Sequence, residues 1–152
     1  MDTTQTAHAA TSSTREVPAL GGLHHIGITV TDLQRSVRWY SDMLGMIQWM
    51  DEQYPGGRAA GLMRPGTHVF IGLDSHDRNA GEPFAPHRTG LDHLALAATT
   101  RAELDVWRTH LTGAGVACGE IAEHAEPVPC ALFTFADPDG IALELIYIYD
   151  GS

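Results

Sequence analysis

The chain contains no lysine: all nine of its basic residues are arginine. Schiff-base chemistry and any mechanism built on a lysine base are therefore excluded. Cysteine is nearly absent too, with only Cys118 and Cys130 among 152 residues. Two cysteines do not make a secreted disulfide framework. Both read as free thiols in a reducing compartment, which points to the cytoplasm. Positive charge is scarce overall: nine basic residues stand against 19 acidic ones, giving a net charge of −10 and a pI of about 5.1. Such a surface repels phosphate backbones and anionic headgroups, so neither nucleic acid nor a membrane is an expected partner. No apolar run approaches the roughly 20 residues of a membrane-spanning helix. The first 18 residues lack the basic start and apolar middle of a signal peptide. Residues 1–20 read as a disordered tail.

What is present suits one compact domain. Hydrophobic residues make up 43% of the chain and charged ones 18%, ordinary values for a globular fold. Residues 21–149 form that domain. A first module spans about 23–73, a linker about 74–90, and a second module about 91–149.

The chemistry centres on Asp137-Pro138-Asp139-Gly140, a type I turn pattern, and the alternating strand Ile141 to Leu145 that follows. Glu144 lies on the face opposite Ile141, Leu143 and Leu145. A carboxylate inside an apolar strand is costly to bury unless compensated. Solvent, a salt bridge or a metal ion can each do this. Two histidines sit in a matching context. His25 opens His-Ile-Gly-Ile-Thr-Val, and His93 opens His-Leu-Ala-Leu-Ala-Ala. In both runs the branched residues share one face, while the histidine shares the other with glycine, alanine or threonine. His25, His93 and Glu144 make a two-histidine, one-carboxylate set with coordination positions left open. That set suits Fe(II), Mn, Ni, Co or Zn.

In chain order, Asp32 is the expected N-cap of a helix carrying Leu33, Val37, Tyr40 and Leu44, stopped by Gly45. Strands are expected over 46–53, 58–63 and 67–73. After the linker the pattern restarts. A strand is expected over 91–98. Thr100-Arg101-Ala102-Glu103 is a capping-box pattern before a helix marked by Leu104, Trp107 and Leu111. Three further strands are expected over 116–121, 131–135 and 141–149. The halves repeat at one spacing: His25 to His93 (93 − 25 = 68), Trp39 to Trp107 (107 − 39 = 68) and Gly45 to Gly113 (113 − 45 = 68). Three coincidences with one element order mark a degenerate repeat.

These residues carry a family resemblance. His25 to Leu33, Tyr40 with Leu44-Gly45, Leu91 to Leu96, and Asp-Pro-Asp-Gly with Glu144 resemble the vicinal oxygen chelate superfamily. That superfamily includes glyoxalase I, extradiol dioxygenases, fosfomycin-resistance enzymes and bleomycin-binding proteins. The resemblance covers about 21–149. It implies an α+β fold of two βαβββ modules, with curled mixed sheets around a metal and substrate cavity. It implies one divalent metal ion on His25, His93 and Glu144, Fe(II) in a dioxygenase and Mn, Ni, Co or Zn otherwise. It also implies a small substrate with adjacent oxygens and a homodimeric assembly. The reaction it implies is that of a dioxygenase or a glyoxalase-like lyase or isomerase. The alternative is a drug- or metabolite-binding resistance protein without catalysis, though metal-free binders of the superfamily have usually lost the ligands. The fourth ligand position of glyoxalase I matches Gly72, which has no side chain to ligate. The tyrosine that extradiol enzymes carry before the Asp-Pro turn matches Thr134. His68 shares the Gly72 face by alternation. It is the candidate general base or a displaced fourth ligand, with a hydrogen-bonded rim residue as the plainer reading.

Overall fold

The computed structural model describes residues 18–149. The chain runs β1 (Ile26–Thr29), α1 (Leu33–Leu44), β2 (Ile47–Tyr54), β3 (Gly57–Met63), β4 (Phe70–His76), β5 (Leu94–Ala97), α2 (Arg101–Gly113), β6 (Ala122–His124), β7 (Cys130–Ala136) and β8 (Ala142–Ile148). This is βαβββ twice, as the repeat implies. The expected disordered tail lies, up to residue 17, outside the described residues. No helix among the described residues is long and apolar enough to cross a membrane.

Each module builds its own four-stranded mixed sheet, in the order β1-β4-β3-β2 and β5-β8-β7-β6. The first strand of each module lies parallel to the last, and the other neighbours are antiparallel. A parallel neighbour requires a long crossover, and the helix with the two middle strands provides it. Neither sheet closes.

Local chemistry sets the helix ends. Asp32 accepts the Arg35 N–H at 2.9 Å, and Gly45 adopts a left-handed φ of 61° that ends α1 without a Cβ penalty. At α2, Thr100 and Glu103 form the reciprocal capping box. The expected strand over 116–121 is a correction. There Cys118 makes one isolated bridge to Phe135, and the ladder strand begins at Ala122. The reason is that Arg108 on α2 donates to the Gly119 carbonyl at 2.8 Å, which ties this segment to the helix. The first strand begins at Ile26, and the fifth, expected over 91–98, begins at Leu94, so His25 and His93 each stand one residue ahead of the hydrogen-bonded strand.

One core serves both modules. Ile28, Val30, Tyr40 and Leu73 of the first pack in a single cluster with Leu104, Leu111, Phe133 and Leu143 of the second. Trp39 stacks on Phe135 at 6.4 Å between ring centroids, and His110 Nε2 meets the Met43 carbonyl at 3.0 Å. Both tryptophans at the repeated position therefore pack against the core. Trp107 takes the Arg64 guanidinium over its ring at 5.9 Å. Because the bulky strand faces turn to this shared core, period two turns the opposite faces outward. Gly27 and Thr29, and Ala95 and Ala97, are exposed.

Candidate metal and substrate site

The outward face of the second sheet holds two of the three expected ligands. Ala95, Glu144 and Thr134 lie side by side in register. His93, two residues before Ala95, shares their side. The Glu144 carboxylate is near enough to act on the His93 pKa. That pKa is raised, first by the hydrogen bond from His93 Nδ1 to Asp92 (2.6 Å) and then, against desolvation, by the charge of Glu144. With Nδ1 engaged, Nε2 is the nitrogen left to ligate, the arrangement in which an outer carboxylate fixes a ligand's ring and tautomer. Thr134, at the matched tyrosine position, puts a hydroxyl beside Glu144. Ala142 and Ala136 add no bulk next to it.

The outward face of the first sheet holds His25. Its Nδ1 is 2.8 Å from Nδ1 of His24, so Nε2 is again the open nitrogen. Gly72 lies beside it: a Cβ there would stand 3.8 Å from His25 Cδ2. In the adjoining hollow of about 260 Å³, His24, His25, Phe70 and Trp49 stand around Gly27, Gly61 and Gly72, and Asp74 stands beyond. His25 and the pair His93–Glu144 thus occupy outward faces of different sheets. Among the described residues no three His, Cys, Asp or Glu side chains come together as a metal-holding group within the chain.

A family model for the glyoxalase/bleomycin resistance protein/dioxygenase superfamily matches residues 22–145. The chain belongs to that superfamily. Two curated relatives and one solved structure carry the likeness further. An uncharacterised Escherichia coli protein, YaeR, is 35% identical over 126 residues, 81% of this chain and 93% of YaeR. A catechol-2,3-dioxygenase of Bacillus subtilis is 32% identical over 128 residues, 80% of this chain but only 40% of that enzyme. The crystal structure of a glyoxylase/bleomycin resistance protein/dioxygenase domain from Frankia sp. EAN1pec superposes with a TM-score of 0.78 at 32% identity. That match covers 86% of this chain and all of the Frankia chain.

In this superfamily member the other polar side chains near the site separate. His68 lies outside the expected strand: β4 begins at Phe70, and His68 is exposed in the connection before it. With His24, His25 and Leu94 to Leu96 it borders a smaller hollow of about 130 Å³, so it sits on the rim between the two modules. Arg58 pairs with Asp51 at 2.6 Å on the core-side rows of the sheet, away from the hollow. Tyr54 donates to Asp74 and meets His76, both at 3.2 Å. Tyr147 and Tyr149 pack against each other, and the Tyr149 hydroxyl donates to Glu123 at 2.8 Å. The cysteines are both free.

Two site residues escape a reading of motifs alone. Asp74 lies two positions after Gly72, so alternation alone puts it on the hollow's face. Trp49 gives no such signal, because the register shifts between Gln48 and Met50. A bulge of that kind re-aims a side chain that simple alternation would misplace.

The Asp-Pro-Asp-Gly turn does structural work beside the site. Asp137 is buried and accepts N–H bonds from Asp139 and Ile141 at 2.8 and 2.9 Å. The fully buried Tyr40 donates to it at 3.3 Å. Asp139 accepts from the Thr31 N–H, the Thr31 hydroxyl and Arg35. The turn that launches β8, and so aims Glu144, is fastened to the start of α1 in the other module.

Proposed function

We propose that this protein is a divalent-metal-dependent enzyme acting on a small substrate with adjacent oxygens, as a dioxygenase or a glyoxalase-like lyase or isomerase. The metal ligands are His25, His93 and Glu144, and each site is completed by two copies of the chain, His25 from one facing His93 and Glu144 from the other. The observation that carries this reading is the condition of the ligands. His93 and Glu144 share one face, and both histidines have Nδ1 occupied and Nε2 left to bind. Trp49 and Ile47 on the outward face of the first sheet are 59% and 55% exposed, and Ile148 on that of the second is 48% exposed. Apolar faces that also carry half-sites favour a homodimer.

A divalent ion at this position supplies Lewis-acid polarisation of a substrate oxygen, or dioxygen chemistry if the ion is Fe(II). Asp92 orients the His93 ring and raises its basicity. Thr134 offers a hydroxyl beside Glu144. Gly72 leaves next to His25 the space that a fourth ligand would fill, so a substrate oxygen can occupy it. His68, on the rim between modules, is the general base of this proposal. The catechol-2,3-dioxygenase likeness favours ring cleavage with Fe(II), while Mn, Ni, Co or Zn goes with the lyase or isomerase reading.

The test is metal content of the protein purified without chelator, for wild type and Glu144→Ala in parallel. About one equivalent per chain in the wild type and none in the variant is the expected result. No metal in either protein after reconstitution would overturn the enzyme reading and leave a small-molecule binding protein.

A further inference from the structure

We infer that the hollow on the first sheet is a recognition slot for a planar aromatic substrate bearing a cationic amine, with Asp74 receiving the amine and Trp49 stacking on the ring. The inference rests on the proposal that this face forms the substrate side of the metal site.

The slot is built in rows. Gly27, Gly72 and Gly61 lie in register across β1, β4 and β3, so three neighbouring strands contribute no side chains and form a flat floor. Adjacent strands are about 4.8 Å apart, which makes that floor roughly ring-sized. Trp49 lies against one side of it. A Cβ on Gly61 would stand 2.9 Å from the Trp49 indole, so the indole rests directly on backbone. Flat floors and indole faces select planar rings. The volume of about 260 Å³ is below the range for drug-sized ligands and fits a single ring with a short arm.

Polarity runs along the slot. His24 and His25 stand at one end. At the other, Asp74 pairs in register with Thr29 and Ala59, and Glu52 pairs with Ala59 on the far side of the same row. Asp74 Oδ1 takes the Tyr54 hydroxyl, while Oδ2 stands 4.0 Å from where a Gly27 Cβ would be, above the floor. Arg58 is engaged by Asp51 and does not offset Asp74. His76, two residues beyond Asp74 on β4, meets the same Tyr54 hydroxyl. The end facing away from the ligands is therefore acidic and open on one oxygen, which attracts a cation and repels a carboxylate. From His25 to Thr29, the neighbour of Asp74, is four residues, roughly 13 Å of strand at about 3.3 Å each. That span accommodates chelating oxygens at one end, a ring over the glycines, and an ammonium on a two-carbon arm at the other.

The experiment uses full-length protein and two pairs of probes matched in size and opposite in charge. Metal-free protein is titrated calorimetrically with 2-phenylethylamine and with phenylacetate. Metal-loaded protein is titrated with 2-(3,4-dihydroxyphenyl)ethylamine and with 3,4-dihydroxyphenylacetate. The amine of each pair should bind at least about tenfold more tightly in the wild type. Asp74→Asn, which keeps an acceptor for Tyr54, should bring the ratio within about twofold. Trp49→Ala should weaken amine and carboxylate equally, leaving the ratio intact. Equal affinities in the wild type, or a preference that survives Asp74→Asn, would overturn the slot. Should Asp74→Asn not fold, the wild-type ratio and the Trp49→Ala series decide. A preference for the amine in protein that takes up no metal sustains the slot and overturns the metal site instead.

Discussion

Gly72 stands beside His25 with room for a side chain. A Cβ there would meet Gly27 Cα and His25 Cδ2 at 3.8 Å and the Ile26 carbonyl at 3.9 Å, all ordinary contacts, so a side chain is admitted without strain. Gly72→Glu is expected to fold and to bring a second carboxylate beside His25. Metal affinity, read by competition with a chromophoric chelator, should rise about tenfold, or roughly 1.4 kcal/mol. Neighbouring glycines behave differently. A Cβ on Gly57 would stand 2.4 Å from the Ser75 carbonyl, which is backbone and cannot move aside. Gly57→Ala should cost about 1–3 kcal/mol in denaturant unfolding, as overpacking does. Asp92 touches His93 and would act on the proposed metal only through it. Its removal should lower metal affinity by about tenfold, the low end for an outer carboxylate, because Asp92 is itself well exposed. In Asp92→Ala the unfolding midpoint of the metal-free protein should be unchanged, which separates lost orientation from lost stability.

The turn from Asp137 to Gly140 joins the modules, and its acid has an unusual sign. Burial is the first cause that raises the Asp137 pKa, against the lowering effect of the backbone bonds from Ile141 and Asp139. A carboxyl whose folded pKa lies above its unfolded value contributes stability that is fully present below the unfolded pKa and lost as pH rises through the folded one. Glu103 has the opposite sign. The Thr99 hydroxyl is the first of the hydrogen bonds that lower its pKa, so its contribution is present at neutral pH and lost on acidification. Total stability therefore mixes both, and the difference between wild type and Asp137→Asn isolates the turn. That difference should move in favour of the wild type as pH is lowered from 7 toward 4, measured by urea unfolding at each pH. The same element indicates what a sequence can disclose. Both helices are legible because capping and a 3.6-residue stripe are local, as Asp32, Thr100 and Gly45 demonstrate. The faces of His25, His93 and Glu144 are legible because alternation is local too. The place of β6 is not, since Arg108 reaches eleven residues along the chain to hold Gly119. Neither is the aim of Trp49, which a bulge determines. That the Asp-Pro-Asp-Gly turn clamps Thr31 and Arg35 is a contact across more than a hundred residues, and no window of sequence contains it.

At the scale of the whole molecule, the shared core sets how the candidate ligands are disposed. Trp39 on Phe135, Tyr40 on Asp137 and Asp139 on Arg35 lock the modules together through their helix-side faces. The outward faces are thereby kept apart, His25 on one sheet and His93 with Glu144 on the other. Among the described residues they do not come together as one metal-holding group within the chain, and pairing two chains leaves the core intact. In the proposed two-fold dimer the first sheet of one copy would meet the second sheet of its partner, twice, giving two sites with ligands drawn from both chains. This arrangement makes a quantitative prediction. His25→Ala and Glu144→Ala should each bind no metal alone. When equal amounts are unfolded together and refolded, half of the dimers are mixed. Each mixed dimer has one site missing both substituted ligands and one site with all three intact. About a quarter of all sites should therefore recover metal, measured as metal per chain after gel filtration. A site formed within single chains would recover none, because every chain would still carry one damaged ligand. Trp49→Glu, which places a charge on the outward face of the first sheet, should lower both the dimer mass in sedimentation and the recovered metal together.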